Sequence, residues 1–249
     1  MACMLLAFFA CSASSGALSA DLVVSAAASL TNAFKEIGTL FSAANPGTHV
    51  VFNFASSDIL LAQIVKGAPA DVFAGADEDA MDRAERSGSL LQGSRRDFLT
   101  NRLVVIVPAG ATAISTLGDL AGPEYRRIAV GSPQSVPAGR YAKGALEQAG
   151  LWDRLEPRFV YATNVRQALD YVARREAEAG FVYATDAALY SDKVKIALDV
   201  PTTVPIRYPI AVTRATQMAA EARAFVDFLA TPAAQQILTR YGFGAATPR

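Results

Sequence analysis

A chain of 249 residues with 52% hydrophobic content is long enough for one large domain or two ordinary ones and too apolar to be disordered. Its 23 basic and 23 acidic side chains cancel without any long block of one sign, so nothing here suggests the basic face that nucleic-acid binding needs. Neutrality also means that a charged solute would be recognised locally and not steered from afar.

Residues 1–20 stand apart. Met4-Leu5-Leu6-Ala7-Phe8-Phe9-Ala10 is apolar but too short to span a bilayer, and Ser12 to Ala20 is rich in small residues. That order predicts a secretory signal cut after Ala17 or Ala20. No Lys or Arg precedes the apolar run, which leaves room for a start further upstream. Cys3 and Cys11 both fall in this segment, so the exported chain would carry no disulfide or thiolate chemistry. Cys11 is an alternative point of lipid attachment, although Phe8-Phe9-Ala10 departs from the usual Leu-Ala-Gly approach.

From Asp21 onward, strand-like and helix-like patterns alternate. Leu22-Val23-Val24 reads as a buried strand, and Phe34, Ile37 and Phe41 fall at helical spacing before the stop Asn45-Pro46-Gly47. Residues 49–54 read as a strand, 59–65 as a helix, 71–74 as a strand and 80–86 as a charged surface helix. Leu103 to Val107 is the most apolar strand. Further strands are predicted at 127–130, 158–161, 181–183, 194–198 and 206–212, with helices at 139–148, 165–174, 219–229 and 233–241. Such alternation implies sheets with parallel strands covered by helices on both faces. No flexible linker divides the chain, so two lobes would be joined by strands, and Leu103–Val107 and Tyr208–Val212 are the candidates.

Five junctions pass from an apolar run through small or hydroxyl residues into a helical pattern: 27–31, 55–58, 136–139, 162–165 and 183–186. Each offers free backbone N–H groups at a helix start, an end that carries partial positive charge and binds anions without a cationic side chain. In sheets of this kind ligands sit beyond the carboxyl ends of the strands, where these junctions lie. Val160-Tyr161-Ala162-Thr163-Asn164 is echoed by Val182-Tyr183-Ala184-Thr185-Asp186, which either caps two helices or turns both loops to one cleft.

Catalytic signatures are missing. His49 is the sole histidine and opens a predicted strand, there is no Gly-x-Ser-x-Gly elbow, and zinc would lack both His and Cys ligands. Asp77, Glu78, Asp79 and Asp82 lack the glycine and terminal glutamate of an EF-hand loop and read as the acidic start of a solvated helix. Gly242-Phe243-Gly244 has no strand–turn–helix around it, so no dinucleotide loop is expected, and Trp152 reads as a core anchor.

Ala26-Ala27-Ala28-Ser29-Leu30-Thr31, Phe54-Ala55-Ser56-Ser57, Gly67-Ala68-Pro69-Ala70-Asp71-Val72-Phe73 and Val136-Pro137-Ala138-Gly139-Arg140-Tyr141-Ala142-Lys143 occur in that order. Asn164-Val165-Arg166, Gly180 to Ala187 and Arg240-Tyr241-Gly242-Phe243 follow. Together, across essentially the whole chain after the leader, these motifs resemble the periplasmic molybdate-binding proteins of bacterial ABC importers. The resemblance implies a type II periplasmic binding protein fold: two α/β lobes with largely parallel sheets, joined by two crossover strands. It implies lobe I over 21–103 plus 208–249 and lobe II over 104–207, behind a signal peptide at 1–20. It further implies a tetrahedral oxyanion, molybdate or tungstate, held without charged groups by the hydroxyls of Ser29, Ser57 and Tyr183 and the backbone N–H groups of Ala138 and Val165. The implied protein is a periplasmic monomer, not an enzyme, with no cofactor, that closes like a hinge over its ligand and delivers it to membrane permease subunits.

The residues support these positions on their own account. Ser29 and Ser57 stand where a helix N-cap belongs, and Gly139 behind Ala138 would let a ligand approach the backbone. Asp58 would repel an anion if it faced the cleft and is expected to point away and favour the first helical turn. Arg140 and Arg166 fall beside the proposed contacts, either at the rim countering the anion's charge or simply solvated. Sulfate or phosphate in the same fold is the nearest alternative ligand reading. A ligand-sensing regulatory domain is a more distant one and would need a DNA-binding module.

Overall fold

The computed structural model describes residues 20–112 and 114–246. Apart from Ala20, the expected signal segment with Cys3, Cys11 and the Ala17 cleavage point lies outside the described residues.

The chain first lays down β1 (Ala20–Ala27), α1 (Thr31–Ala44), β2 (Thr48–Ala55), α2 (Ser57–Val65), β3 (Val72–Ala74), α3 (Glu78–Arg86) and β4 (Arg96–Asn101). A second body follows, built from β5 (Leu103–Pro108), β6 (Ile128–Gly131), α4 (Pro137–Gln148), α5 (Trp152–Leu155), β7 (Phe159–Ala162), α6 (Val165–Ala173), β8 (Ala179–Tyr183), α7 (Ala184–Leu189) and β9 (Val194–Val200). The chain then returns with β10 (Ile206–Val212), α8 (Ala219–Phe228), α9 (Pro232–Arg240) and β11 (Gly244–Ala245).

Two sheets result, in the orders β11-β4-β10-β3-β1-β2 and β7-β6-β8-β5-β9. Each is mixed. The βα units give parallel pairs, β1 with β2 and β3, and β6 with β7 and β8. The strands that arrive straight from the other sheet, β5 and β10, pair antiparallel on both sides. A strand delivered by a short link has no crossover helix to return it to the same end of the sheet, so it enters reversed.

The sheet changes fall at Arg102, between β4 and β5, and at residues 201–205, between β9 and β10. Leu103–Val107 and Tyr208–Val212 therefore do not themselves span the gap; each lies just past a crossing and wholly within one sheet. Leu103 pairs in the second sheet and Ile206–Arg207 in the first, which moves the expected lobe boundaries by a residue or two. The continuous apolar pattern of β5 follows from its place, since every residue of it is buried between strands and helices.

Core packing explains the first helix. Phe34, Ile37 and Phe41 are its buried stripe, and Phe225 of α8 meets Phe41 edge-on at 5.3 Å and Phe34 at 6.0 Å. Edge-to-face pairs of this kind each contribute about 0.5–1.5 kcal/mol beyond area burial. Trp152 is buried against Phe159 at 4.7 Å, an anchor for the second body far from any stacking role. No helix among the described residues is long and apolar enough to cross a membrane.

Candidate functional site

The carboxyl ends of β1 and β2 face those of β6, β7 and β8 across the gap between the two bodies, and the turns that follow these strands build one site. In the first lobe, Ser29 lies inside a single 3-10 turn, Ala28–Leu30, directly after β1. Its hydroxyl is 3.0 Å from the phenol of Tyr208. Ser57 is the first residue of α2, and the N-cap is its neighbour Ser56. The Ser57 hydroxyl accepts a hydrogen bond from the Ala76 N–H at 3.0 Å. Neither serine is thus the N-cap that spacing suggested. Ser56, which sequence reasoning passed over, has a buried hydroxyl with no partner among the described residues. A second serine beside Ser57 was the available signal.

The second lobe contributes differently. α4 begins with Pro137, whose fixed φ and missing N–H suit the first helical position, and Ala138 follows it. Val165 is the first residue of α6, behind Asn164, whose side chain caps the helix by accepting from the Gln167 N–H at 3.0 Å. The first amides of both helices lack intrahelical acceptors. Gly139 serves packing and not ligand approach: a Cβ there would stand 1.8 Å from the Gly131 carbonyl oxygen, so its absence lets α4 sit on the end of β6. Tyr183, at the end of β8, donates across the gap to the Ala76 carbonyl at 3.3 Å and packs edge-on to Tyr208 at 5.7 Å.

Ser29, Ser57, Ala138, Val165 and Tyr183 all line one cavity, together with Ser56, Ala76 and Asn164. Its free space of about 10 Å³ is at most the room of one water molecule, well below the pockets that hold organic ligands. Burial pushes the phenols of Tyr183 and Tyr208 well above their ordinary range, so both stay protonated and able to donate. The two echoed loops both reach this cavity, through Asn164 and Tyr183, but β7 is an edge strand and leaves Tyr161 exposed while the interior strand β8 buries Tyr183.

Charges stand one layer back. Arg140 of α4 reaches across to Asp58 at 2.8 Å and Asp77 at 2.9 Å, and Arg83 also pairs with Asp58. Asp58 is therefore buried among guanidinium groups and turned from the cavity's donors into an ion network. Asp77 caps α3 through the Ala80 N–H and is itself buried, in contrast to the solvated helix start expected of its cluster. Arg166 of α6 pairs with the buried Asp186 and donates to the Asn32 side-chain oxygen at 2.9 Å and the Ser29 carbonyl at 3.1 Å. Neither arginine is simply solvated; each bridges the lobes directly behind a cavity-lining helix start. Burial raises the carboxyls of Asp77 and Asp186 above the usual range, with the paired arginines pulling the other way. His49 lies outside all of this, exposed and 3.1 Å from Asp21.

The family model for bacterial extracellular solute-binding proteins matches residues 22–244. Over 229 residues the chain is 42% identical to the molybdate-binding protein ModA of Escherichia coli (strain K12), covering 89% of this chain and 88% of that one. Among solved structures, the periplasmic molybdate-binding protein of Azotobacter vinelandii superposes with a TM-score of 0.79 at 30% identity, covering 91% of this chain and all of that one. The sulfate-binding protein SubI from Mycobacterium tuberculosis H37Rv superposes with a TM-score of 0.81 at 20% identity over 92% of this chain and 88% of that one, a likeness of fold alone. With two mixed α/β sheets in the type II periplasmic binding protein arrangement and a cavity lined by uncharged residues between them, the chain belongs to the bacterial extracellular solute-binding protein family.

Proposed function

We propose that this protein captures molybdate, and tungstate with it, in the inter-lobe cavity and hands the oxyanion to the membrane permease of an ABC importer. The observation that carries this reading is the convergence of Ser29, Ser57, Ala138, Val165 and Tyr183 on one small cavity lined by uncharged residues only. Hydroxyls and helix-start amides hold an oxyanion by charge-assisted hydrogen bonds, each contributing about 1.5–3 kcal/mol. Relatives at 42% and 30% identity are named for molybdate binding. Ser56 offers a further donor, its buried hydroxyl having no hydrogen-bond partner among the described residues.

In this reading the anion needs no cofactor and undergoes no reaction, and the lobes 21–102 plus 206–249 and 103–200 close over it as rigid bodies. The protein acts as a monomer in the periplasm, free of nucleic acid, with Cys11 as the alternative lipid anchor. Its test is a thermal-unfolding titration with molybdate, tungstate, sulfate and phosphate. A ligand at a hundredfold its dissociation constant adds about 2.7 kcal/mol, which is several degrees of melting temperature. Stabilisation by molybdate and tungstate alone is expected; stabilisation by sulfate or phosphate alone would replace the ligand while keeping the cleft.

A further inference from the structure

Ser29 has a single hydroxyl proton, and it serves an anion only if no protein group takes it. The bonds behind Ser29 decide this. The backbone N–H of Arg102, the one-residue crossing between the sheets, donates to Asn101 Oδ1 at 2.8 Å and so fixes which end of that amide is nitrogen. Asn101 Nδ2 then donates to Thr185 Oγ1 at 2.9 Å and to Tyr208 Oη at 3.1 Å. An amide nitrogen only donates, so Tyr208 accepts here and its own proton must go elsewhere. Tyr208 is fully buried, and the remaining partner of its phenol is Ser29 Oγ at 3.0 Å. Ser29 accepts that bond, and its proton is left for the cavity it lines.

We propose that Tyr208 and Asn101 are positioning residues that hold the Ser29 hydroxyl as a donor toward the bound oxyanion, in a directed chain rooted in the first inter-lobe crossing. The proposal rests on the oxyanion reading of the cavity. Ser57 receives the same treatment from a backbone donor, the Ala76 N–H, which also leaves its proton free. Burial keeps the Tyr208 phenol protonated, as the chain requires. The chain also makes the Ser29 site sensitive to the hinge: any movement that rotates the Arg102 peptide disturbs the root of the donor sequence.

The test is a double-mutant cycle read by calorimetric titration with molybdate. Tyr208→Phe keeps the ring that packs on Tyr183 and Phe243, so the ligand-free melting temperature is expected to stay near that of the parent. Loss of one such hydrogen bond should weaken molybdate binding about fivefold, and Asn101→Ala about twofold. The deciding arm adds each change to Ser29→Ala. Residues acting through Ser29 have no further effect once its hydroxyl is gone, whereas residues with a general structural role weaken binding by the same factor in either background. Parent-like binding by Tyr208→Phe, or losses that multiply with Ser29→Ala, would overturn the proposal and leave the oxyanion reading standing. A parent protein that binds none of the oxyanions would remove that reading, and the proposal with it.

Discussion

The first lobe meets the cavity with the side-chain hydroxyls of Ser29, Ser56 and Ser57 and keeps the acids Asp58 and Asp77 behind them; the second meets it chiefly with the helix-start amides of Ala138 and Val165, beside the Tyr183 phenol, and keeps the arginines Arg140 and Arg166 behind them. The difference separates two tasks. In the proposed reading, ligand recognition is left to uncharged groups, while charge lies between the lobes, where Arg140 meets acids contributed entirely by the opposite side. It also divides the site by what mutation can reach: a hydroxyl is lost with its side chain, and a backbone amide survives almost any replacement.

The hydroxyl side should therefore break most easily. Ser29→Ala or Ser57→Ala is expected to weaken molybdate binding by at least about tenfold, as the loss of one charge-assisted hydrogen bond implies. The two together should reach about a hundredfold if the sites act independently. Titration calorimetry on the single and double variants measures this, and unchanged binding in both single variants would remove the site assignment.

The arginines sharpen the contrast in a different observable. Arg140→Met leaves Asp58 and Asp77 buried in the closed form with less counter-charge, a cost relieved when the lobes part and water returns. Molybdate should then leave about tenfold faster, with its association rate little changed. Arg166→Met should matter less to release, because its carboxylate partner Asp186 belongs to its own lobe and its links across the gap go only to the neutral oxygens of Asn32 and Ser29. Stopped-flow displacement of bound molybdate compares the two; equal rates would mean that charge across the gap does not hold the cleft shut.

How far the chain could be read in advance follows the same division. The βα units were legible because apolar runs and helical spacing are local, and Phe34, Ile37 and Phe41 mark α1 without any partner. The residues at the cavity were legible through the small and hydroxyl residues that follow each strand. β4 was not, because Arg96-Asp97-Phe98-Leu99-Thr100-Asn101 is a polar run whose strand character comes from pairing with β10 and β11. The antiparallel entries of β5 and β10 depend on where the chain changes sheets, which no periodicity records. Arg140, Arg166 and Asp77 could be read as solvated because their partners lie across the gap or, for Asp186, 20 residues further along the chain, at separations local patterns do not reach. Tyr208 was read only as part of an apolar strand, since its phenol gains meaning from Ser29, 179 residues away in the chain.

The backbone side offers the finest test, because one position allows the amide and the side chain to be removed separately. Val165 opens α6, where proline is at home, and Asn164 before it has the extended conformation that a following proline requires, with φ −159° and ψ 169°. Val165→Pro thus deletes the N–H while leaving the helix its start, and should weaken molybdate binding about tenfold, the value of one donor to a charged ligand. Val165→Ala keeps the N–H and trims a buried side chain, which costs the fold about 1–3 kcal/mol but should leave binding within about twofold. Calorimetry on the pair, with unfolding temperature as the control for stability, decides the matter. Equal losses from Pro and Ala would place the recognition in the valine's packing and end the contrast between the lobes; loss from Pro alone would locate it in a backbone N–H, where an apolar residue at an anion site is no contradiction.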